Sequence, residues 1–507
     1  MLEVKKKQLL LVNMEYTQDE VNEPINIDVL LQYFPAKLYN DSNITIVYRD
    51  SFQNCAIALE RYDIILISTK ISSFHQVCNL LEVAKGKIII VGGILAICAA
   101  EELARTYPNV VFNTGEAETN ISSLLQLAYE AQTTEDFKQA IISSKISNIC
   151  FYYEPHKNIY CSKRQVCELK NQQYPQHNKV RDVIAKEGLV RMETSRGCPW
   201  NKCSFCIMPW KFCGETWRSF SNTKIEEEIN YLIKNGATRI LFTDEDFIGN
   251  YEHLCNLCSI INRCTLSSQQ LVSFGGSTSV LTLLKLGNRL DTCLQKMQDA
   301  GISLIFIGVE SGCDSQLLRY NKGVTASMNE KLIAKLLQYK FEIDFGFIMF
   351  DADTTMDELE KNLDFIQRTG LRSTVSRFAK KLRVTPHTEL YRNYLARGII
   401  TSDLDINELY YEYNFCDPTV ELICSYLEKL DKHILEESYH LQAITRSTMI
   451  QEEKKLAHER LLFLRESEYI FLRQCVDCYK KKQSLLIEDM REIYQKCLGG
   501  VCNGVYQ

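Results

Sequence analysis

Two long alternations of apolar and polar stretches organise the chain. In the first, strand-like apolar runs at residues 9–13, 44–48, 64–68, 88–91 and 110–113 are separated by helical stretches. Such alternation predicts βαβ units around a parallel sheet, an α/β domain of the doubly wound, Rossmann-like class over residues 1–130. The centres of Asp63-Ile64-Ile65-Leu66-Ile67-Ser68 and Lys87-Ile88-Ile89-Ile90-Val91-Gly92-Gly93 are uninterruptedly apolar, as strands covered on both faces should be. In the second, residues 190–194, 239–243, 271–275, 304–308, 343–349 and 375–382 read as strands. Helical stretches such as 224–234, with Ile225, Ile229 and Leu232 on one face, and 330–339 lie between them. Six βα units cannot close an eightfold barrel, so residues 186–386 are expected to form an open, partial (β/α)6 TIM-type barrel. Residues 131–185, polar and rich in tyrosine, read as a connector. Residues 387–507 are charged and helical in period, notably at 420–441 and 452–472, and are expected to be a mainly helical domain capping the barrel mouth.

Composition narrows the class. The chain has 507 residues, of which 46% are hydrophobic and 24% charged, too apolar for intrinsic disorder and long enough for several domains. Its formal net charge of -6 argues against whole-chain attraction to nucleic acid. The longest nearly unbroken apolar stretch, 88–100, contains Gly92 and Gly93 and is shorter than the roughly 18 to 20 residues a membrane helix needs, so no span is expected. Lys5, Lys6 and Lys7 precede only the short run 9–12, a first strand rather than a secretory segment, and a cytoplasmic location is expected. Against that setting, 21 cysteines are many. Scattered ones such as Cys55 and Cys293 read as small buried apolar residues, so grouping must identify the others.

In open parallel sheets the ligand crevice lies beyond the carboxyl ends of the strands, where Gly92, Gly93 and the run Gly115-Glu116-Ala117-Glu118 fall. Glycines at 92 and 93 let a flat cofactor or a neighbouring domain approach the backbone. The strands of the second alternation also end in polar residues: Thr243-Asp244-Glu245-Asp246-Phe247, Gly275-Gly276-Ser277-Thr278, Gly308-Val309-Glu310-Ser311-Gly312 and Asp351-Ala352-Asp353. Asp244, Asp246, Ser277 and Glu310 are therefore candidate binding residues. Solvation or helix N-capping is the other use of an acidic residue at such a place.

The sharpest signal is Met192-Glu193-Thr194-Ser195-Arg196-Gly197-Cys198-Pro199-Trp200-Asn201-Lys202-Cys203-Ser204-Phe205-Cys206, three thiols within nine residues just after a strand. Three cysteinates on a 4Fe-4S cluster leave one iron open for a substrate or chelating cofactor. A closed zinc or iron site needs a fourth protein ligand, for which Cys213 is the alternative. A tight loop containing Gly197 and Pro199 can fold thiolates around a cubane. Cys475-x2-Cys478, Cys497 and Cys502 have a spacing compatible with zinc or an auxiliary cluster. The preferred reading is unligated thiols on a helix and a flexible tail, Gly499-Gly500-Val501-Cys502-Asn503-Gly504. Cys255, Cys258 and Cys264 fit a barrel helix without metal.

The cysteine run resembles the activating loop of the radical S-adenosylmethionine (SAM) superfamily. Its usual spacing is Cys-x3-Cys-x2-Cys, whereas this chain has Cys-x4-Cys-x2-Cys, a loop variant within 199–202. The N-terminal part resembles the cobalamin-binding domain fused ahead of many such enzymes, with a Val-Gly-Gly turn and then a Gly-Glu-Gly-Glu turn, here Gly-Glu-Ala-Glu. The Asp-x-His-x-x-Gly signature that supplies an axial histidine in other cobalamin proteins is absent from the sequence, so a cobalamin site and a vestigial or substrate-binding domain both stay open. The resemblance implies that Cys198, Cys203 and Cys206 ligate a 4Fe-4S cluster and that Phe205 packs near the adenine of SAM. It places Asp244 and Asp246 in the region gripping the methionine amino group, adds Ser277 to the cofactor-binding set and puts Glu310 at the ribose. That last correspondence is the firmest, because Gly-Val-Glu-Ser-Gly-Cys-Asp-Ser-Gln-Leu-Leu-Arg-Tyr-Asn-Lys-Gly tracks the family pattern. Chemically, a carboxylate can accept from two ribose hydroxyls. Arg377 on the sixth strand holds the methionine carboxylate or is an inward structural arginine. Gly92, Gly93, Gly115 and Glu116 would border cobalamin.

The implied chemistry is reductive cleavage of SAM to methionine and a 5'-deoxyadenosyl radical that takes hydrogen from an unactivated C-H bond. With cobalamin present, methylation of a carbon centre is expected first. Radical cyclisation, carbon-carbon bond formation or rearrangement without methyl transfer is the alternative. The implied partners are a small-molecule, lipid or peptide substrate and an electron donor such as flavodoxin or ferredoxin. A non-enzymatic metal-binding interaction protein has no use for an open fourth iron. A methylthiotransferase acting on RNA would add a basic, strand-rich C-terminal barrel, and this tail is helical and mixed in charge, so no nucleic acid is expected.

Overall fold

The first alternation folds into a single sheet in a computed structural model that describes residues 7–14, 23–36, 38, 42–48, 59–84, 86–375, 377–446 and 451–503. Its strands are β1 (Lys7–Met14), β2 (Ser42–Tyr48), β3 (Ile64–Thr69), β4 (Ile88–Gly93), β5 (Val110–Asn113), β6 (Ile149–Tyr153) and β7 (Asn158–Cys161), in the order β2-β1-β3-β4-β5-β6-β7. The first five pair in parallel; β6 and β7 are antiparallel. Side chains alternate across the sheet, so Leu10, Ile65, Ile89 and Val91 join a core with Leu95 and Leu103 of helix Ile94–Thr106. Leu11, Ile64, Leu66 and Ile90 join the opposite core with Leu124 and Leu125. Both faces are covered, which is why the strand centres carry no polar residue.

The stretch expected to be a connector contributes to this domain. Helix Thr134–Ser143 starts at a capping box between Thr133 and Asp136, and β6 and β7 extend the sheet. The tyrosine-rich pattern hid them because an antiparallel edge pair has a half-exposed face, with Tyr152 and Tyr153 partly exposed. Cys150 and Cys161 face each other across that pair as a disulfide, unlike the simple apolar role expected of scattered cysteines. Cys293 does have that role and is fully buried, whereas Cys55 lies outside the described residues.

The second alternation gives β8 (Val190–Met192), β9 (Ser195–Gly197), β10 (Trp217–Ser219), β11 (Arg239–Phe242), β12 (Ser273–Ser279), β13 (Ile302–Glu310) and β14 (Glu342–Phe347). Five of them form a parallel sheet ordered β14-β13-β12-β11-β8, while β9 and β10 pair antiparallel around the cysteine loop. The expected sixth strand, 375–382, is interrupted and touches its neighbour through two parallel bridges, Phe345 to Val375 and Phe350 to Lys381. Between them, Phe378 N donates to Glu468, a carboxylate of the C-terminal helices taking the place of a ladder bond, and the Arg377 side chain pairs with Asp431. Cys255, Cys258 and Cys264 lie on the barrel helix Tyr251–Ser268, as expected.

Helices Pro418–Arg446, Gln451–Lys482 and Ile487–Asn503 form the helical C-terminal region. They sit against the edge strand β14 and helix Met356–Thr369 rather than across the strand ends: Arg465 pairs with Asp344 of β14, and Arg473 with Asp364. Val420, Leu427 and Leu472 thereby extend the barrel core. The glycine-rich end expected to be a flexible tail is helical as far as Asn503, with Cys475 and Cys497 buried and Cys502 exposed. Residues 387–417 form a separate bridge, in which Leu409 enters the first sheet's core and Ser72 N donates to Asn407 O at 2.7 Å. Among the described residues, no helix is long and apolar enough to cross a membrane.

Candidate active site

The cysteine loop begins at Gly197, whose φ of 90° belongs to the left-handed region; a β-carbon there would lie 1.8 Å from Thr216 O. Only glycine fits the β9–β10 crossing that launches the loop. Farther along, Ser204 N donates to Tyr320 O at 3.0 Å, Ser204 Oγ to Arg319 O at 2.8 Å, and Asn321 Nδ2 to Lys202 O at 2.9 Å. Cys198, Cys203 and Cys206 are partly buried and lie close enough to influence one another's ionisation. Burial pushes the Cys203 thiol up to about 12 and that of Cys206 up to about 11. Cys213 does not join them: it is exposed, and its charged neighbours are Arg164, Glu116, Arg218 and Glu215. Among the described residues, no three His, Cys, Asp or Glu side chains converge to hold a single metal ion. Zinc would need such convergence, with sulfur at about 2.3 Å, whereas a cubane takes each cysteinate on a different iron. Cys213 thus stands apart from the three loop thiols, and a four-ligand site through it is not assembled among the described residues.

Glu310 ends β13 with a φ of 65°, and its Oε1 lies 2.7 Å from Lys322 Nζ. Burial opposes the ammonium charge, but Glu310 and the thiols of Cys203 and Cys198 outweigh it and hold the Lys322 pKa above the usual lysine range. Phe205 packs edge-to-face on Tyr320 at 5.5 Å, within this same cluster of residues. Lys322 carries a visible sequence signal, since it closes the Glu-Ser-Gly run, although the run alone assigns it no role.

The acidic pair after β11 behaves differently from expectation. Asp244 accepts from Thr194 N at 2.9 Å and from both the Thr194 and Ser195 hydroxyls; burial raises its pKa to about 7. Asp246 accepts from Thr282 Oγ1 at 2.6 Å, Thr278 Oγ1 at 3.1 Å and Gly249 N at 3.2 Å, and burial raises its pKa too. Both carboxylates are enclosed, and their bonds tie neighbouring strand ends together. Glu245 between them is the one turned to the cleft, where its Oε1 meets Lys211 Nζ at 2.6 Å and its Oε2 accepts from Gly197 N at 2.9 Å. Ser277 is half-buried opposite Phe306 in the β12–β13 register. Arg377 is held by Asp431 of helix Pro418–Arg446.

A cavity of about 470 Å³ lies where the ends of the first sheet's strands face the barrel. Gly92, Gly93, Asn113, Gly115 and Glu116 line one side, and Arg191, Glu193, Thr243, Glu245 and Lys211 the other. No histidine is among its described lining residues. The close approaches that require glycine are internal to the sheet domain: a β-carbon on Gly93 would lie 2.2 Å from Thr69 O, and one on Gly115 2.6 Å from Asn148 Cγ. At Gly92 the nearest atom would be 3.8 Å away, leaving room on the cavity side for a flat ligand edge. Glu116 lines the cavity but spends its charge on the barrel, with Oε1 3.2 Å from Arg196 Nη1 and 2.7 Å from Arg218 Nη2. Burial works against its carboxylate, yet the two guanidinium groups hold its pKa down at about 2. Arg164 adds a second clasp, donating to Thr114 O at 2.8 Å and to Trp210 O at 2.9 Å.

Comparison with known proteins agrees with this geometry. Residues 192–366 match the family described as the Radical SAM superfamily. Among curated proteins, the chain is similar to 4'-phospho-dehydrooxetanocin synthase of Priestia megaterium, 25% identical over 300 residues that cover 56% of this chain and 38% of that one. It is also similar to bacteriochlorophyllide d C-8(2)-methyltransferase of Chlorobaculum tepidum, 26% identical over 226 residues, 42% of this chain and 46% of that one. The matched segments thus span less than half the length of either relative. Among solved structures, the cobalamin-dependent SAM radical enzyme OxsB, with aqua-cobalamin and SAM bound, superposes with a TM-score of 0.80 at 17% identity. That likeness, one of fold, covers 99% of this chain and 80% of OxsB. Residues 192–366 thus carry the match to the Radical SAM superfamily, within a chain whose overall fold is that of OxsB.

Proposed function

We propose that the chain is a cobalamin-dependent radical SAM enzyme that methylates an unactivated carbon. The observation that carries this reading is the cavity itself. It joins the strand-end glycines of the first sheet to the barrel wall directly beside the cysteine loop, as Glu245 links both through Gly197. When bound, the reduced cluster would supply one electron that cleaves SAM to methionine and the 5'-deoxyadenosyl radical, and cobalamin would carry the methyl group. Cys198, Cys203 and Cys206 would hold the cluster by three irons, leaving the fourth for the amino and carboxylate groups of SAM. Glu310 would accept from the ribose hydroxyls through its carboxylate. Gly92, with Gly93 and Gly115 shaping the neighbouring turns, would border the corrin, while Glu116 keeps the two domains clasped. Enclosure between the domains would exclude water from the radical.

The substrate would be a small molecule, lipid or peptide, and the electron would come from a carrier such as flavodoxin or ferredoxin. The three C-terminal helices are not the strand-rich basic barrel that an RNA substrate would call for. A second reading, rearrangement without methyl transfer, is favoured by the longer match to a relative named a synthase than to one named a methyltransferase. Turnover with SAM carrying a deuterated methyl group separates the two once a substrate is in hand. Methylation transfers the label to product, and rearrangement leaves the product unlabelled. Before that, a cobalamin absorption spectrum of the reconstituted protein tests the cofactor, and its absence would remove the methylation proposal.

A further inference from the structure

One buried ammonium stands between the cysteine loop and Glu310. Lys322 is 7% exposed, its Nζ is 2.7 Å from Glu310 Oε1, and its charge is felt at Cys203 and Cys198. Its placement is enforced from several sides. Trp200 Nε1, inside the loop, donates to Asn321 O at 2.7 Å, while Ser204 and Asn321 add the three bonds described above. Gly323 has a φ of 75°, and a β-carbon there would come within 2.8 Å of Trp200, so the loop's indole rests on the residue after Lys322. On the other side, a β-carbon on Gly308 would lie 2.4 Å from Glu310 Oε1 and 3.2 Å from Lys322 Nζ. The strand is pared down to make room for the ion pair.

We propose that Lys322 is a positioning residue that joins the cluster loop to the ribose-binding carboxylate, fixing Glu310 and placing one positive charge beside the cysteinates. The inference rests on the radical SAM reading of the loop. Lys322 occupies Oε1 of Glu310 and leaves Oε2 to accept from a ribose diol. Without the ammonium, a partly buried carboxylate would be uncompensated and would turn away or take up a proton. Reducing a cluster adds one negative charge, so a fixed cation nearby favours the reduced form and its loss lowers the reduction potential.

The test uses the full chain with its cluster reconstituted anaerobically, comparing Lys322→Met, Lys322→Arg, Glu310→Gln and the Lys322→Met/Glu310→Gln double variant. The midpoint potential is read by an EPR-monitored redox titration and SAM affinity by equilibrium binding. Lys322→Met is expected to lower the potential and weaken SAM binding about tenfold or more, the loss of one charge-assisted contact. Lys322→Arg should recover most of both. The double variant should bind SAM no more weakly than the worse single variant, because both changes break the same unit. An unaltered potential and SAM affinity in Lys322→Met with full iron content would overturn the proposal, as would losses that multiply in the double variant. If Lys322→Met alone fails to take up iron, the double variant, which has no stranded carboxylate, carries the decision. Failure of the wild-type protein to bind SAM at its cluster would instead remove the underlying reading, so the two failures are distinct.

Discussion

Arg196 Nη2 lies 2.7 Å from Glu118 Oε1, so the residue two before the first cysteine of the loop is gripped by the other domain. The same guanidinium reaches Glu116 Oε1 at 3.2 Å and Glu193 Oε2 at 2.8 Å, and its side chain is only 11% exposed. The domain interface and the cysteine loop are therefore one mechanical unit. Removing one partner of an enclosed ion-pair network leaves the others uncompensated, at about 3 to 5 kcal/mol. Arg196→Met is expected to lower urea-unfolding stability by about that amount and to reduce iron content after reconstitution. A variant with wild-type stability and iron content would show that the clasp is ornamental.

Arg377 and Glu310 should separate cleanly in kinetics. Arg377→Met breaks the pair with Asp431 and is expected to cost about 1 to 3 kcal/mol of stability while leaving the KM for SAM unchanged. Glu310→Gln is expected to raise the KM for SAM about tenfold with little loss of stability. A raised KM in Arg377→Met would instead support the carboxylate-binding role.

Gly197→Ala tests the loop's backbone. Its β-carbon would collide with Thr216 O, and the left-handed conformation adds about 1 kcal/mol of strain for any other residue. Cluster content per chain, measured as iron and sulfide, should fall sharply; normal content would mean the β9–β10 crossing does not control the loop.

His177 predicts a pH dependence unrelated to the cluster. It is buried with Nδ1 2.8 Å from Glu23 Oε1 and Nε2 3.0 Å from Glu228 Oε1. Burial disfavours its charge, but the two carboxylates outweigh burial and raise its pKa from the ordinary 6.5 to about 9. A folded-state pKa above the unfolded one gives stability that is full below pH of about 6.5 and lost as pH rises through about 9. Thermal unfolding from pH 6 to 10 should show this decline, and His177→Gln should flatten it. An identical pH profile in the variant would assign the decline to other groups.

How much of this was legible depended on what each signal encodes. The parallel strands were readable because burial on both faces demands uninterrupted apolar centres, as at Ile64 to Ile67. The β6–β7 pair was not, because a half-exposed tyrosine-rich edge has no such demand. The cysteine spacing and the long Glu-Ser-Gly run that nominate Cys198, Cys203, Cys206 and Glu310 are local properties, visible without the fold. Asp244 and Asp246 looked like ligand-binding residues because acidic groups at strand ends often are. Their enclosure by Thr194, Ser195, Thr278 and Thr282 is a tertiary fact with no local signature. Glu116 was correctly placed at the crevice, yet its pairing with Arg196 across 80 residues could come only from the fold.

The most direct measurement is 5'-deoxyadenosine formation by the anaerobically reconstituted chain on addition of SAM and a low-potential reductant, with Cys203→Ala run in parallel. The account predicts cleavage by the wild-type protein and none by the variant. Cleavage undiminished in Cys203→Ala, or a wild-type protein that carries its cluster and leaves SAM intact, would contradict it.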